Sequence, residues 1–220
     1  MSEVVSLLAT WTPFLLIGFF WNIAVTALAV LIGTVVGVRL ASMRYKDTGV
    51  GAKAGSFLSK VFRNVPTLAL LFYAVFVLPR EFTVYGTSIV VTIPLWFKAG
   101  LGLSGSIIGF TSESLLIAYK NMERRDYDAA LLFIPTWGSS VMISFVASST
   151  ASLVGVSELI SRSNSIIAAT GTAYMIPVYL YTASFFVMGC LLWMGLIRRL
   201  KGSTFVRSLP QRFSSQSMTG

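Results

Sequence analysis

Histidine is absent from this sequence, and cysteine occurs only once, at Cys190. Without histidine, neither a Ser-His-Asp triad nor a Cys-His pair is available for nucleophilic catalysis. Structural zinc sites and haem sites use histidine or clustered cysteines, so we expect neither kind of metal centre. A single cysteine forms no disulfide within the chain. We interpret Cys190, which lies in an apolar run, as a small packing residue.

Charged residues are also scarce. They make up 11% of the 220 residues, whereas apolar residues make up 55%. The mean hydropathy is +0.78. Such a composition excludes an ordinary soluble domain and is typical of a membrane protein with several spans. The N-terminal sequence MSEVVSLLATW has no basic stretch before the first apolar run, so we expect no cleaved signal peptide.

The apolar runs predict an all-α integral membrane protein, because a helix needs about 20 apolar residues to cross a bilayer. Residues 1–200 are expected to form a single transmembrane domain, and residues 201–220 a basic tail. Between Thr83 and Lys98 we expect an interfacial or re-entrant piece at the outer face rather than a further span. The five predicted spans cover about 13–38, 65–79, 99–118, 129–156 and 172–197.

Lysine and arginine cluster in three polar segments. Residues 39–63, the loop after the third span and the C-terminal tail hold fourteen of the seventeen basic residues. Basic loops remain in the cytoplasm under the positive-inside rule. We therefore predict an amino end outside and a carboxyl end in the cytoplasm. Topology and anionic lipid account for the net charge of +9 without any nucleic-acid partner.

Small and hydroxyl side chains predict protein contacts for two of the spans. Gly33, Gly37, Ala27 and Ala29 lie in the first span, and small residues let helices approach closely in lipid. The fourth span carries the string SFVASSTAS, 144–152. Hydroxyl groups facing lipid alone are unfavourable, so these residues are expected to line a helix interface or a hydrated path.

Four motifs follow one another in a fixed order along the chain. They are NIAVTALAVLIGTVVGVRLASMR (22–44), FRNVPTLALLFYAVFVLP (62–79), LSGSIIGFTSE (103–113) and SLVGVSEL (152–159). Together they resemble the permease subunits of bacterial ATP-binding-cassette (ABC) importers for polar amino acids, of the histidine, arginine and glutamine type. Phe110 and Glu113 occupy the Tyr and Glu places of the family's Tyr-x-x-Glu. The fourth motif lacks only the proline of the family's Gly-Val-Pro-Glu-Leu.

The resemblance implies that the charged loop after the third span couples this chain to an ATPase. In the family a cytoplasmic Glu-Ala-Ala-x-x-x-Gly loop forms a short coupling helix. Here Asp128, Ala129 and Ala130 occupy the Glu-Ala-Ala place, whereas Ile134 stands at the Gly place and the loop is shorter. Taken alone, an exposed charged loop only maintains topology. The residues expected in the coupling contact are Glu123, Arg124, Arg125, Asp126, Tyr127, Asp128, Ala129 and Ala130.

Four further residues are candidates for the translocation path or its outer gate: Glu113, Ser149, Gly155 and Glu158. Three of the four have a simpler interpretation. Glu113 could simply be an acid whose side chain extends to the membrane interface by snorkelling. Lys98 could be a base that does the same. Ser149 suits helix packing. Glu158 and Arg162 are four residues apart, which suits an ion pair on a solvated outer helix.

The resemblance also implies the partners. We expect a second permease subunit, identical or related, a cytoplasmic ATPase dimer and an extracytoplasmic solute-binding protein, in a bacterial inner membrane. No cofactor is expected on this chain, because ATP and magnesium would bind the ATPase, and the chain itself is not expected to be an enzyme. Two alternatives remain: a divergent permease half that does not couple, and a non-transporting assembly or regulatory subunit.

Overall fold

The computed structural model describes residues 2–46, 49–83 and 90–202. Within these ranges the chain is almost entirely helical, which confirms the predicted all-α class. Two 3₁₀ segments, Ser148–Val154 and Thr172–Tyr174, precede the last two helices. The other elements are α1 (Ser2–Lys46), α2 (Val50–Asn64), α3 (Thr67–Val77), β1 (Glu81–Thr83), β2 (Val90–Thr92), α4 (Leu95–Glu123), α5 (Tyr127–Leu131), α6 (Phe133–Ala147), α7 (Leu159–Thr170) and α8 (Met175–Gly202).

Four helical segments are long and apolar enough to cross a membrane, and a bent pair of helices gives a possible fifth. The chain is therefore a multi-pass membrane protein. The bent pair is α2 and α3, which meet at 103°. With eleven residues, α3 is about 16 Å long. That is about half of the 30 Å hydrocarbon layer. The four long segments are Ser2–Tyr45, Leu95–Glu123, Tyr127–Val154 and Thr172–Arg199.

The bend between α2 and α3 follows from a proline. Pro66 directly precedes α3, and Val65 before it is extended, with φ −76° and ψ 129°. A residue that precedes proline avoids the helical region because the proline ring clashes with its backbone. Pro66 therefore ends α2 and lets α3 begin in a new direction, inside the segment predicted to span at 65–79.

Helices α1 and α6 run antiparallel. The ring of Phe19 lies 5.9 Å from that of Phe145. Further along α1, the hydroxyl of Thr34 accepts a hydrogen bond from the indole of Trp137 at 3.0 Å. The end of α6 thus lies beside the first half of α1, and its beginning lies beside the second half.

Helix α8 is antiparallel to α6 and therefore parallel to α1. The rings of Phe186 and Phe145 are 5.5 Å apart, and the indole of Trp193 donates to the carbonyl oxygen of Gly138 at 2.8 Å. The C-terminal ends of α1 and α8 consequently lie at the same end of the helix bundle. We call this the basic end; it carries Arg39, Arg44, Arg198 and Arg199.

Two glycines allow α1 to lie directly against α4. A Cβ atom at Gly33 would be 2.5 Å from Cβ of Ile107, and one at Gly37 would be 2.6 Å from Cβ of Thr111. No side chain fits at either position. This confirms that the first span contacts protein through its small residues, although Ala27 on another face is exposed.

A short antiparallel hairpin lies between α3 and α4. Glu81 pairs with Thr92, and Thr83 pairs with Val90. All six strand residues are exposed. The sequence predicts an interfacial or re-entrant piece in this segment, and the strands were not anticipated, because so short a ladder has almost no periodic signal.

Lys98, at the start of α4, does not snorkel to the surface as its simpler interpretation requires. The side chain is only 1% exposed. Its ammonium group donates to the carbonyl oxygen of Leu78 at 2.7 Å and to that of Val75 at 3.5 Å. The last carbonyls of a helix lack partners within the helix, and a cation there also interacts favourably with the helix dipole. Lys98 therefore caps the C-terminus of α3.

Replacing this capping lysine tests its structural role. We expect Lys98→Met to lower the free energy of unfolding in detergent by about 1–3 kcal/mol, because the carbonyls at the end of α3 lose a charged donor. Thermal unfolding followed by circular dichroism measures the change. The control is Lys120→Met at the exposed end of α4, where a change within about 0.5 kcal/mol is expected. Equal stability of the two variants would contradict the assignment.

The segment predicted as the fourth span, 129–156, lies almost entirely within the candidate span Tyr127–Val154. Along it the end of α5, all of α6 and a 3₁₀ segment follow one another. The polar segment after it, expected at the outer surface, folds into α7 and packs against the first half of α1, where Leu15 and Leu159 are both fully buried. Most of the predicted basic tail, 203–220, lies outside the described residues.

Candidate functional site

The predicted coupling loop begins at a tightly defined turn. The amide of Arg125 donates to the carbonyl of Met122 at 3.0 Å, and the amide of Asp126 donates to that of Asn121 at 2.9 Å. Arg125 has φ 60°. This is the Schellman arrangement, in which a left-handed residue, usually glycine, ends the helix. An arginine takes the glycine position here and ends α4.

Asp126 then starts the next helix. Its carboxylate accepts a hydrogen bond from the amide of Ala129 at 3.1 Å, as an N-cap aspartate does. The resulting α5 has only five residues. Ile134, at the place of the family's glycine, is half-buried in the first turn of α6. The loop is thus a compact knob between α4 and α6.

The knob exposes some of the predicted residues and hides others. Ala130 is 9% exposed, Ala129 and Tyr127 are half-buried, and the remaining five are exposed. The charged side chains of the knob are therefore more accessible than its alanine pair. The exposed residues are Glu123, Arg124, Arg125, Asp126 and Asp128.

The base of the knob is attached to α1. The hydroxyl of Tyr45 donates to the carboxylate of Glu123 at 2.8 Å. The ring of Tyr45 also lies 5.1 Å from the ring of Tyr119. The knob thus contacts the last turn of α1 as well as α4.

Glu113 lies in a polar cluster that joins three helices at the basic end. Arg44 on α1 donates through one guanidinium nitrogen to Glu113 on α4 at 3.0 Å, to Ser59 on α2 at 3.1 Å and to Ser112 at 3.3 Å. The side chain of Arg44 is 11% exposed and that of Glu113 is 36% exposed. Glu113 is thus a partner in an ion pair and not a free interfacial acid.

The left-handed conformation of Arg125 gives a direct test of the turn. A non-glycine residue in this conformation costs about 1–2 kcal/mol. Arg125→Gly should therefore leave thermal stability in detergent unchanged or slightly raised, whereas Arg125→Val should lower it, because a β-branched residue suits this conformation poorly. Arg124→Val at the preceding exposed position is the control. If both Arg125 variants behaved alike, the turn would not have this geometry.

At the other predicted site, several hydroxyl groups of the fourth span are satisfied locally, whereas that of the buried Ser144 has no hydrogen-bond partner among the described residues. Ser149, Thr150 and Ser152 each donate to the carbonyl three residues earlier, at 2.7–2.8 Å. Gly155 then ends the 3₁₀ segment with φ 91°, a conformation that glycine adopts without strain. The hydroxyl of Ser149 is therefore used within its own helical turn, and Gly155 redirects the chain towards α7.

Glu158 is fully buried, contrary to its interpretation as part of a solvated outer helix. Its carboxylate caps the N-terminus of α7 by accepting hydrogen bonds from the amides of Ile160 at 3.0 Å and Ser161 at 2.9 Å. Burial raises the pKa of this carboxyl, and these hydrogen bonds oppose the rise. The group is thus an N-cap inside the protein.

Asn22 on α1 completes the surroundings of this carboxylate. Its amide nitrogen donates at 2.9 Å to both Glu158 and Ser148, and its oxygen accepts from the amide of Leu159 at 3.1 Å. Asn22 is itself fully buried. One side chain thus joins α1, the 3₁₀ segment and the start of α7. We call Asn22, Ser148 and Glu158 the buried polar junction.

The ion pair considered between Glu158 and Arg162 is not formed. The guanidinium of Arg162 instead donates to the carbonyls of Ser157 and Phe14, each at 3.2 Å. It also lies 4.4 Å from the centre of the Phe14 ring, close enough for a cation–π interaction. Arg162 therefore fastens α7 to α1.

The structure does not bring the predicted residues into one site. The buried polar junction contains Asn22, and the polar cluster near the knob contains Arg44. These two residues are 22 positions apart on α1, which corresponds to about 33 Å along the helix. Neither Asn22 nor Arg44 was predicted as a site residue, although a polar residue within an apolar span is itself a signal of a buried partner. The partners are not visible in sequence, since Glu158 is 136 residues from Asn22.

A double-mutant cycle tests the buried polar junction. Asn22→Ala and Glu158→Ala should each lower the free energy of unfolding by about 1–3 kcal/mol, because each leaves buried polar groups without a partner. The double variant should lose less than the sum, with a coupling of about 0.5–3 kcal/mol. Asn22→Ala combined with Glu123→Ala, at the exposed loop, should be additive. Additivity in both pairs would exclude the contact.

Comparison with known proteins gives one informative result. A solved structure described as an amino acid ABC transporter with histidines superposes with a TM-score of 0.72, covering 88% of this chain and 95% of that chain at 18% identity. The two chains share one fold. No protein-family model and no curated protein sequence matches.

At 18% identity the similarity shows a common arrangement of the helices. It does not assign the chemistry of individual residues, which depends on their own contacts. The motif resemblance found in the sequence is consistent with this neighbour, which is described as an amino acid ABC transporter.

Proposed function

We propose that this chain is the transmembrane permease subunit of an ATP-driven importer for polar amino acids. The observation that carries the proposal is the shared fold over most of both chains. In this assignment α2 and α3 together form a fifth span, the amino end is outside and the basic end faces the cytoplasm of a bacterial inner membrane. The motifs resemble those of the permease type that handles histidine, arginine and glutamine.

The proposed assembly contains a second permease subunit, a cytoplasmic ATPase dimer and an extracytoplasmic solute-binding protein. ATP and magnesium would bind the ATPase subunits, and the present chain would supply the path and the coupling contact. The exposed charges on the knob, among them Arg124 and Asp128, suit contact with a polar protein surface. Each exposed ion pair adds little, so shape is expected to matter as much as charge.

In the proposed mechanism, closure of the ATPase dimer displaces α5. The displacement reaches α4 through the turn at Arg125 and reaches α1 through the hydrogen bond between Tyr45 and Glu123. The Arg44–Glu113 pair keeps α1 and α4 together at the basic end. The two helices then move as one body and carry the buried polar junction with them, which opens or closes the outer part of the path.

One observation favours a second candidate function. Helix α5 has five residues, and the glycine place of the family's loop holds Ile134. A knob this short suits a divergent permease half whose partner subunit provides the stronger contact with the ATPase. Both candidates are permeases, and they differ in which subunit couples.

Identification of partners tests the proposal. The tagged chain is extracted from its native membrane in mild detergent, and copurified proteins are identified by mass spectrometry. An ATPase together with an identical or related permease supports the proposal. Recovery of the chain alone, or with unrelated membrane proteins, would contradict it and favour an assembly or regulatory subunit.

Charge reversal on the knob separates the two candidates. The buried Ala130 would disturb folding if replaced, so we choose the exposed Asp128. Asp128→Arg should reduce copurification of the ATPase and ATP-driven uptake together, with membrane insertion unchanged, because the reversed charge opposes the partner surface. The control is Arg80→Glu, a charge reversal at an exposed residue just after the C-terminal end of α3 and away from the knob. Unchanged uptake with Asp128→Arg would assign coupling to the partner permease.

A further inference from the structure

A deep apolar groove lies between α1, α6 and α8. Its volume is about 610 Å³. The lining includes Ile23, Ala27 and Leu31 from α1, Phe145 from α6, and Leu192 and Leu196 from α8. The groove lies entirely among helices assigned as membrane spans.

The groove offers nothing to a polar solute. Thr26 is its one hydroxyl-bearing residue, and that hydroxyl donates to the carbonyl of Asn22 at 2.7 Å. The Trp193 nitrogen is also occupied, by the carbonyl of Gly138. An amino acid would lose its hydration there without gaining hydrogen bonds. The occupant must therefore be apolar over the length of the groove.

The position of the groove along α8 matches one leaflet of a bilayer. Its lining runs on α8 from Gly189 to Leu196. Arg199 follows ten residues after Gly189, or about 15 Å along the helix. That distance is half of the hydrocarbon thickness of about 30 Å. The groove thus extends from near the middle of the membrane towards the basic end.

An unpaired cation lies where this groove reaches the basic end. Arg199 is on the same face of α8 as Leu192 and Leu196, seven and three residues earlier, and all three are exposed. Arg199 has no ion-pair partner among the described residues.

We propose that this groove binds one acyl chain of an anionic glycerophospholipid, whose phosphate lies against Arg199. The apolar lining suits the chain, and the arginine suits the phosphate at the membrane surface. This inference does not depend on the transported solute or on the coupling partner.

The same charges argue against a second copy of this chain as the occupant. Two copies in one membrane have the same orientation, and an interface between matching faces would place their two Arg199 side chains at the same depth. Like charges would then meet without a compensating acid, which is unfavourable. A phospholipid brings the opposite charge.

Retained lipid in the purified full-length chain tests the proposal. The chain is purified in detergent after reconstitution with equal amounts of phosphatidylglycerol and phosphatidylcholine, and bound lipid is measured by mass spectrometry. We expect stoichiometric phosphatidylglycerol. Ala27→Phe, which fills the groove from an exposed position, should abolish retention. The matched control Ala183→Phe, exposed on another part of α8, should retain the lipid as the unmodified chain does.

A second variant tests the phosphate contact separately from the groove. Arg199→Gln should keep a bound lipid but reduce the preference for phosphatidylglycerol over phosphatidylcholine by about fivefold, as expected for one arginine near an anionic headgroup. An unchanged preference would overturn the headgroup assignment. Equal retention in the Ala27→Phe and Ala183→Phe variants, or no retained lipid in the unmodified chain, would overturn the groove assignment.

Cys190 provides a direct test of the competing occupant. It lines the groove and is the single cysteine of the chain. If a second copy covered the groove, mild oxidation of native membranes would join two chains through Cys190, and the lipid assignment would be wrong. We expect the chain to remain monomeric on a non-reducing gel.

Discussion

Close contact between α1 and α4 is the constraint on which the rest of the bundle depends. Inside lipid the hydrophobic effect does not drive helices together, so packing and polar contacts must do so. Gly33 and Gly37 remove the side chains that would separate the two helices. With α1 fixed in this way, α4 can also receive α2, α3 and α6 on its other faces, and half of its residues are buried.

Polar contacts then determine how each remaining piece is placed. Lys98 holds the end of α3, Arg44 joins α2 to α4, and Asn22 joins α1 to the start of α7. Each contact uses a charged or amide group that would be costly to bury alone. The polar groups inside the bundle therefore specify its arrangement, whereas apolar side chains fill the space between them.

Properties that depend on composition or local spacing could be predicted from the sequence. Apolar runs indicated a multi-pass helical protein and small residues indicated a packed first span, whereas the short loop helix at Asp128, Ala129 and Ala130 was implied by the family resemblance. Partners distant in sequence could not be predicted, because nothing local distinguishes a buried Glu158 from a solvated one. The change from α-helix to 3₁₀ helix at Ser148 was equally hidden, since the 3₁₀ segment and α6 have similar residues.

The length of α1 has a consequence for the surrounding lipid. Its 45 residues extend about 67 Å, more than twice the hydrocarbon thickness of about 30 Å. A bilayer that thickens or thins by a few ångströms shifts the water boundary along this helix without uncovering its buried centre. Asn22 lies about 30 Å from the first described residue and is covered by α7, so hydrophobic mismatch is absorbed at the ends of α1.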